Sequence, residues 1–161
     1  MLDGIMQVVT SSYLIAVLLV ALYMIYRKDN RVYALVLTLA LTLALVTFIK
    51  ESMVELRPCV AQIPLDVCGD PIESFPSMHA ALAFAPLVFL LPNIPLFALY
   101  FIYAALVSFS RVYLYVHYPH DVAAGAIISV LIGLVCLKAK DKINSIIYDI
   151  AETVGVRKYL V

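Results

Sequence analysis

The chain has 161 residues, of which 65% are hydrophobic and only 14% are charged. Soluble domains are nearer half apolar, so this composition excludes an ordinary soluble domain and predicts one membrane domain over residues 1–161. The 11 basic and 11 acidic residues cancel, and the sequence has no basic patch, which argues against a nucleic-acid partner.

Five apolar segments predict an all-α integral membrane protein with about five transmembrane helices in a bundle. The segments cover residues 5–26, 32–49, 78–91, 96–110 and 122–137. The first segment has no basic residues before it and is too long for the hydrophobic part of a signal peptide. We therefore expect it to be a retained helix.

Residues 141–156 predict a C-terminal amphipathic helix. Apolar residues recur at spacings of three and four from Ile143 to Val154, and polar residues fill the other face. The segment is too polar to cross a bilayer, so we expect it to lie at the membrane interface. A helix packed on the loops of the protein would show the same pattern.

The distribution of charge predicts the orientation in the cell membrane. With five spans, the 27–31 turn and the C-terminal tail lie on one side. Eight of the eleven cations are there: Arg27, Lys28, Arg31, Lys138, Lys140, Lys142, Arg157 and Lys158. By the positive-inside rule this side, with the C-terminus, is cytoplasmic. The other three cations, Lys50, Arg57 and Arg111, then gather at the outer face and indicate an anion site there.

Two cysteines, Cys59 and Cys68, lie in the same outer loop. An oxidising compartment permits a disulfide between them, which would stabilise the fold by about 2–3 kcal/mol. Two unpaired thiols are the alternative. Cys136 lies within the last span and is interpreted as a packing residue.

Residues 110–121 read SRVYLYVHYPHD and concentrate polar chemistry in a chain that is otherwise poor in charge. His117 and Asp121 are four residues apart, a spacing that on a helix places both on one face. A carboxylate beside a histidine can fix its tautomer and stabilise its charged form. Arg111 adds a planar cation suited to phosphate.

The last span is predicted to hold this pair in place. We expect Pro119 to begin the helix, so that His117 precedes its first turn. Gly125, Ser129 and Gly133 continue the four-residue spacing and form a stripe of small residues that would press the span into the bundle.

Two further clusters precede this stretch. Lys50 and Arg57 are seven residues, or about two helical turns, apart, so both can face one pocket. Residues 76–79 read PSMH at the start of the third span, where free backbone N–H groups can bind phosphate. Taken singly, these clusters are also typical of interfacial cations and of a capped helix with an interfacial histidine.

In this order the three clusters resemble the membrane branch of the type 2 phosphatidic acid phosphatase superfamily. Its motifs are K-x6-RP, PSGH and SR-x5-H-x3-D, and here they run from Lys50 to Asp121. The resemblance covers a catalytic core of about residues 48–125. Met78 replaces the glycine of the second motif, and many family members have six spans rather than five.

The resemblance implies a metal-independent lipid phosphatase without a cofactor. His117 would attack phosphorus and form a phosphohistidine, Asp121 would orient His117, and His79 would protonate the leaving oxygen. The phosphoryl group would be bound by the other motif residues, namely Lys50, Arg57, Ser77, Met78 (through its backbone N–H) and Arg111.

The motifs leave the substrate and the number of copies open. Polyprenyl diphosphate, phosphatidic acid, phosphatidylglycerophosphate and lipid A phosphate are all candidates, and a homo-oligomer is compatible with the sequence.

One alternative is a metal-dependent hydrolase, although the three cations would repel a metal and the spacing fits no zinc signature. It would use His79, His117, His120 and Asp121. Another is a non-catalytic lipid-phosphate binding or transport protein. His120 has no motif role and is interpreted as a loop residue.

The orientation can be tested with a cysteine at position 72. Ile72→Cys lies in the predicted outer loop, so a membrane-impermeant thiol reagent should label it in intact cells, above the wild-type background. Lys28→Cys, in the predicted cytoplasmic turn, should react only after lysis. The reverse pattern would invert the predicted topology.

Overall fold

The computed structural model of the protein describes residues 2–61, 68 and 70–157. Lys158 and the middle of the predicted outer loop, residues 62–67 and 69, lie outside this description. In the described part, α-helices account for almost all regular structure. They are α1 (Leu2–Ser11), α2 (Tyr13–Tyr26), α3 (Val32–Ser52), α4 (Met78–Phe84), α5 (Leu87–Leu90), α6 (Ile94–Tyr113), α7 (Pro119–Lys138) and α8 (Lys140–Val154).

Three helices, α3, α6 and α7, are long and apolar enough to cross a membrane. The first predicted span is instead divided into α1 and α2, which meet at a bend of 42° and together can form a fourth crossing. The bend lies at Ser12, whose hydroxyl donates to the carbonyl of Val9 at 2.9 Å. Such bonds from serine to the preceding turn compete with regular helix geometry and often bend it.

The predicted third span is shorter than a membrane crossing. Pro86 lies between α4 and α5 and divides the segment, because proline lacks the N–H that a continuous helix needs. Residues 78–90 are apolar, but at 1.5 Å per residue they extend only about 20 Å, against about 30 Å of hydrocarbon. Most of their side chains are buried, namely Ala80, Ala81, Leu82, Ala83 and Leu87 to Leu90. This segment is the core of the bundle rather than one of its lipid-facing walls.

Close packing of α7 against α4 positions the outer ends of both helices. Gly125, Ser129 and Gly133 are all buried, as the stripe of small residues predicts. A Cβ atom at Gly125 would lie only 2.4 Å from the backbone oxygen of Ser77. Only glycine allows the first turn of α4 to approach α7 this closely.

The C-terminal amphipathic helix is confirmed as α8. Ile143 packs against the main hydrophobic core, and Asn144 and Ala151 are buried. Together with residues of α3, its apolar side chains line a shallow groove, which comprises Tyr33, Val36, Leu37, Ala40, Ile143, Ile146 and Ile147. The helix therefore covers the start of α3, at the end of the bundle opposite to Lys50.

The contact at Gly125 should be the least tolerant of the glycine positions in the bundle. Gly125→Ala places a methyl group against backbone atoms of α4, whereas Gly133→Ala meets the movable side chain of Val88 at 2.6 Å. We expect Gly125→Ala to lose about 1–3 kcal/mol by overpacking, which corresponds to roughly 2–12 °C in thermal midpoint.

Thermal unfolding in detergent measures this difference. Gly4→Ala is the matched control, since a Cβ there meets nothing within 4 Å. Equal midpoints for the Gly125 and Gly4 variants would contradict the packing argument.

Candidate active site

Two loop segments lie side by side over the end of the bundle that carries Lys50. Residues 53–57 follow α3 and residues 70–77 precede α4, and a parallel bridge joins them at Glu55 and Glu73. The bonds run from the Glu55 N–H to the Ile72 carbonyl (3.1 Å) and from the Ser74 N–H to the Glu55 carbonyl (3.0 Å). This pairing brings the end of α3 to the start of α4, so the first two motifs share one surface.

The third motif forms a buried histidine–carboxylate pair. His117 Nδ1 lies 3.2 Å from Asp121 Oδ2, and the two residues are 3% and 0% exposed. His117 is in the loop 114–118, and Asp121 is in the first turn of α7, which begins at Pro119 as predicted. Residues 110–113, however, continue α6, so Arg111 lies in the last turn of a helix rather than in a loop.

Asp121 also accepts hydrogen bonds from residues other than His117. Its Oδ2 also accepts a hydrogen bond from the Ser74 hydroxyl at 2.5 Å and one from the Tyr118 N–H at 2.9 Å. Its backbone oxygen accepts from the Ser77 N–H at 3.0 Å. The carboxylate therefore has one orientation, and with Nδ1 of His117 engaged, the Nε2 atom remains available as a nucleophile.

The environment of His117 keeps its imidazole neutral. Burial first, and then the nearby cations Arg111, Arg57 and Lys50, lower its pKa to about 4 against the opposing effect of the Asp121 hydrogen bond. At neutral pH the ring therefore carries the free lone pair that attack requires. All three cations thus lie close enough to His117 to lower its pKa.

The three cations are held by neutral oxygen atoms. Lys50 Nζ donates to the Glu73 carbonyl at 2.6 Å, and Arg57 donates to the carbonyls of Asp70 (2.7 Å) and Val116 (3.3 Å). Arg111 Nη1 donates to the hydroxyl of Thr10 at 3.1 Å. Within the described residues none of the three forms a direct ion pair with a carboxylate, so the cluster is left with positive charge that favours an anion.

The second motif lies at the N-terminus of α4. Ser77 is the N-cap and Met78 the first helical residue, which is half-buried. The Ser77 hydroxyl and the Arg111 Nε are buried polar groups without a hydrogen-bond partner in the described part of the chain. Unpaired buried donors are costly, and a phosphoryl oxygen would satisfy both.

His79, also in the first turn of α4, contacts a helix outside the motifs. Its ring lies against Tyr13 of α2, with centroids 4.6 Å apart. This contact joins the N-terminal helices to the outer end of the bundle.

A disulfide anchors the loop that carries His117. Cys59 and Cys68 are bonded, with Cα atoms 5.8 Å apart, and both are buried against Val116. Since Arg57 also bonds the Val116 carbonyl, the loop next to His117 is fixed from two directions. Cys136 is a buried free thiol within α7, in keeping with a packing residue.

His120 is not an isolated loop residue, which corrects the interpretation from the sequence. It lies in the first turn of α7, where its Nε2 is 2.8 Å from Glu55 Oε1 and 3.0 Å from Asp121 Oδ1. Its ring stacks on that of Tyr118. His120 thus connects the loop after α3 to the carboxylate of the buried pair.

The set of potential metal ligands differs from the one the sequence suggested. Within the described residues, the group with ligand atoms close enough to share an ion is Glu55, His120 and Asp121, within 4.8 Å of one another. This group omits both His79 and His117. Its atoms are already in direct histidine–carboxylate contact, and the cations around Asp121 oppose a further positive charge.

The sequence did not single out Ser74, Thr10 or Tyr13. Ser74 lies two residues before the second motif, and this position beside the motif was the one available signal. Thr10 and Tyr13 belong to helices without a motif, and only the folded bundle brings them to Arg111 and His79.

The comparisons with known proteins agree with this geometry. The sequence profile of the PAP2 superfamily matches residues 31–145, which contain all three motifs. The chain belongs to the PAP2 superfamily. Among solved structures, the crystal structure of Aquifex aeolicus LpxE is similar, with a TM-score of 0.72 and 28% sequence identity. The match covers 85% of this chain and 86% of LpxE. No curated protein matches the sequence significantly.

Membership of the PAP2 superfamily implies phosphatase activity for this integral membrane protein. The profile match includes α3 to α7 and part of α8, whereas α1 and α2 lie outside it.

The Ser74 hydroxyl should be important for turnover because it donates to the charged oxygen that contacts His117. Hydrogen bonds to charged groups contribute about 1.5–3 kcal/mol, so we expect Ser74→Ala to lower kcat by about tenfold or more. KM for a lipid phosphate should change little, because the Ser74 hydroxyl bonds Asp121 and is not among the groups expected to bind the phosphate.

Steady-state phosphate release measures the effect. Ser129→Ala is the control, since that serine is equally buried but bonds only the Ala126 carbonyl in its own helix. Unchanged kcat in the Ser74 variant would show that the remaining bonds suffice to orient Asp121.

Proposed function

We propose that the protein hydrolyses the phosphate or diphosphate headgroup of a membrane lipid through a phosphohistidine intermediate. One observation carries this proposal: three cations, none in a direct ion pair within the described residues, lie near a neutral, carboxylate-bound histidine at one end of a membrane bundle. Candidate substrates are polyprenyl diphosphate, phosphatidic acid, phosphatidylglycerophosphate and lipid A phosphate. Each presents the same phosphoryl group to the site.

In the first step, His117 Nε2 attacks phosphorus and the bond from phosphorus to the leaving oxygen breaks. His79 donates a proton to that oxygen, and Asp121 stabilises the charge that develops on His117. In the second step, water attacks the phosphohistidine while His79 accepts its proton, and the P–N bond breaks to release inorganic phosphate.

Electrostatic stabilisation of the phosphoryl oxygens provides the other part of catalysis. Phosphoryl transfer depends mainly on positioning and on neutralising charge around phosphorus. Lys50, Arg57 and Arg111 supply that charge, and Ser77 and the free N–H groups at Met78 can add hydrogen bonds. The residues present thus account for a reaction that requires no metal ion or cofactor.

We also propose that the site faces away from the cytoplasm. This orientation takes the chain to pass five times between the two ends of the bundle, through α1–α2, α3, the short buried segment α4–α5, α6 and α7. This arrangement leaves the Arg27–Arg31 turn and the C-terminus on the cytoplasmic side. The Cys59–Cys68 disulfide supports this orientation, because such bonds persist in oxidising compartments.

The proposal is tested by phosphate release from a panel of the four lipid phosphates, using purified protein in detergent with EDTA present. We expect activity on at least one lipid in EDTA, inhibition by vanadate, which imitates five-coordinate phosphorus, and a loss of several orders of magnitude in His117→Ala.

The alternatives predict other results. Activity lost in EDTA and restored by zinc or magnesium would support a metal-dependent hydrolase. Lipid binding without release of phosphate from any lipid would support a binding or transport protein. An active His117→Ala protein would refute the phosphohistidine mechanism.

A further inference from the structure

The bend between α1 and α2 lies directly on the candidate site. Thr10 lies two residues before the bend at Ser12 and accepts a hydrogen bond from Arg111 Nη1 at 3.1 Å. Tyr13, the first residue of α2, places its ring 4.6 Å from that of His79, at an angle of 50°. Both residues precede the segment that matches the family. Helices without a motif therefore contact one phosphate-binding residue and the candidate acid.

The bend is fixed to the rest of the bundle by its own contacts. The hydroxyl groups of Ser12 and Tyr103, which is in α6, lie 2.7 Å apart. Thr10 is buried, and below it Val17, Val20 and Met24 anchor α2 in the bundle. The positions of Thr10 and Tyr13 are thus set by α6 and by the core.

These contacts restrain the two site residues in different ways. An aromatic ring at this distance and angle is in favourable contact with the imidazole and limits its rotation. It also covers one face of His79 against water. The Thr10 bond directs one end of the Arg111 guanidinium, whose buried Nε has no partner in the described part of the chain.

We infer that Thr10 and Tyr13 are positioning residues of this site. Tyr13 holds His79 in line with the leaving oxygen, and Thr10 fixes Arg111 toward the phosphoryl oxygens. The inference rests on the proposed function, because it assigns the acid and anion-binding roles to His79 and Arg111. It extends the working site to helices outside the family motifs.

The role of Tyr13 is tested by its dependence on the leaving group. Proton donation by His79 matters for an alkoxide leaving group and hardly for p-nitrophenolate. We expect Tyr13→Leu, which keeps apolar volume, to lower kcat about tenfold on a lipid phosphate but less than threefold on p-nitrophenyl phosphate. Tyr13→Phe retains the ring and should restore the wild-type ratio between the two substrates.

Tyr26→Ala is the control, since this tyrosine lies at the far end of α2 and is 84% exposed. Equal losses on both substrates in Tyr13→Leu would reduce Tyr13 to a packing residue and overturn the inference for it. No loss on either substrate would overturn it equally.

The role of Thr10 is tested by anion affinity. Thr10→Val keeps the shape but removes the hydroxyl, so vanadate inhibition should weaken by threefold to tenfold and KM should rise, whereas Thr10→Ser should retain both values. Unchanged vanadate inhibition in Thr10→Val would overturn the inference for Thr10. These outcomes are separate from failure of the proposed function, which would appear as inactivity of the wild type or full activity of His117→Ala.

Discussion

The carboxylate of Asp121 is the group on which the arrangement of the site depends. It bonds His117 of its own motif, and it bonds Ser74, which is 47 residues away in the loop before α4. The backbone of the same residue receives the N–H of Ser77, the N-cap of α4. One aspartate thus connects His117 to the helix that carries His79, and the approach at Gly125 allows the two helices to come this close.

The electrostatics of the site follow from how its charges are paired. The single buried carboxylate is shared among several donors, whereas three nearby cations have only carbonyl and hydroxyl partners in the described part of the chain. An excess of positive charge that is partly shielded from water is unfavourable in the empty protein. A phosphate anion that binds there reduces the repulsion between the cations. This relief would contribute to the free energy of substrate binding.

The sequence predicted the features that depend on local spacing. The start of α7 at Pro119, the buried stripe at Gly125 and Gly133, and the amphipathic helix after Lys138 all follow from periodicity and from proline chemistry. Pro86 divides the third span in the structure. From the sequence a single span over residues 78–91 was predicted, because the residues on both sides of Pro86 are apolar. The convergence of Lys50, Arg57 and Arg111 was expected from the predicted topology.

Contacts that depend on the three-dimensional arrangement of helices could not be predicted in the same way. Arg111 and Thr10 are 101 residues apart, and nothing in either local sequence indicates the other. The bend at Ser12 involves side-chain hydrogen bonds of that residue with Val9 and Tyr103, which hydrophobic spacing does not detect. His120 was missed because its partner Glu55 is distant in sequence, although both residues lie at the same end of the bundle.

The carbonyl partners of Lys50 and Arg57 have a consequence for the end of the reaction cycle. A carbonyl group directs a cation but leaves its net charge intact, so the site attracts inorganic phosphate with the same groups that attract the lipid. Release of inorganic phosphate then separates opposite charges in a partly desolvated pocket. We expect this release to be slow enough to limit turnover alongside the chemical steps. Dissolved ions screen such a separation, so in the proposed orientation the ionic strength outside the membrane would affect how quickly the site releases phosphate.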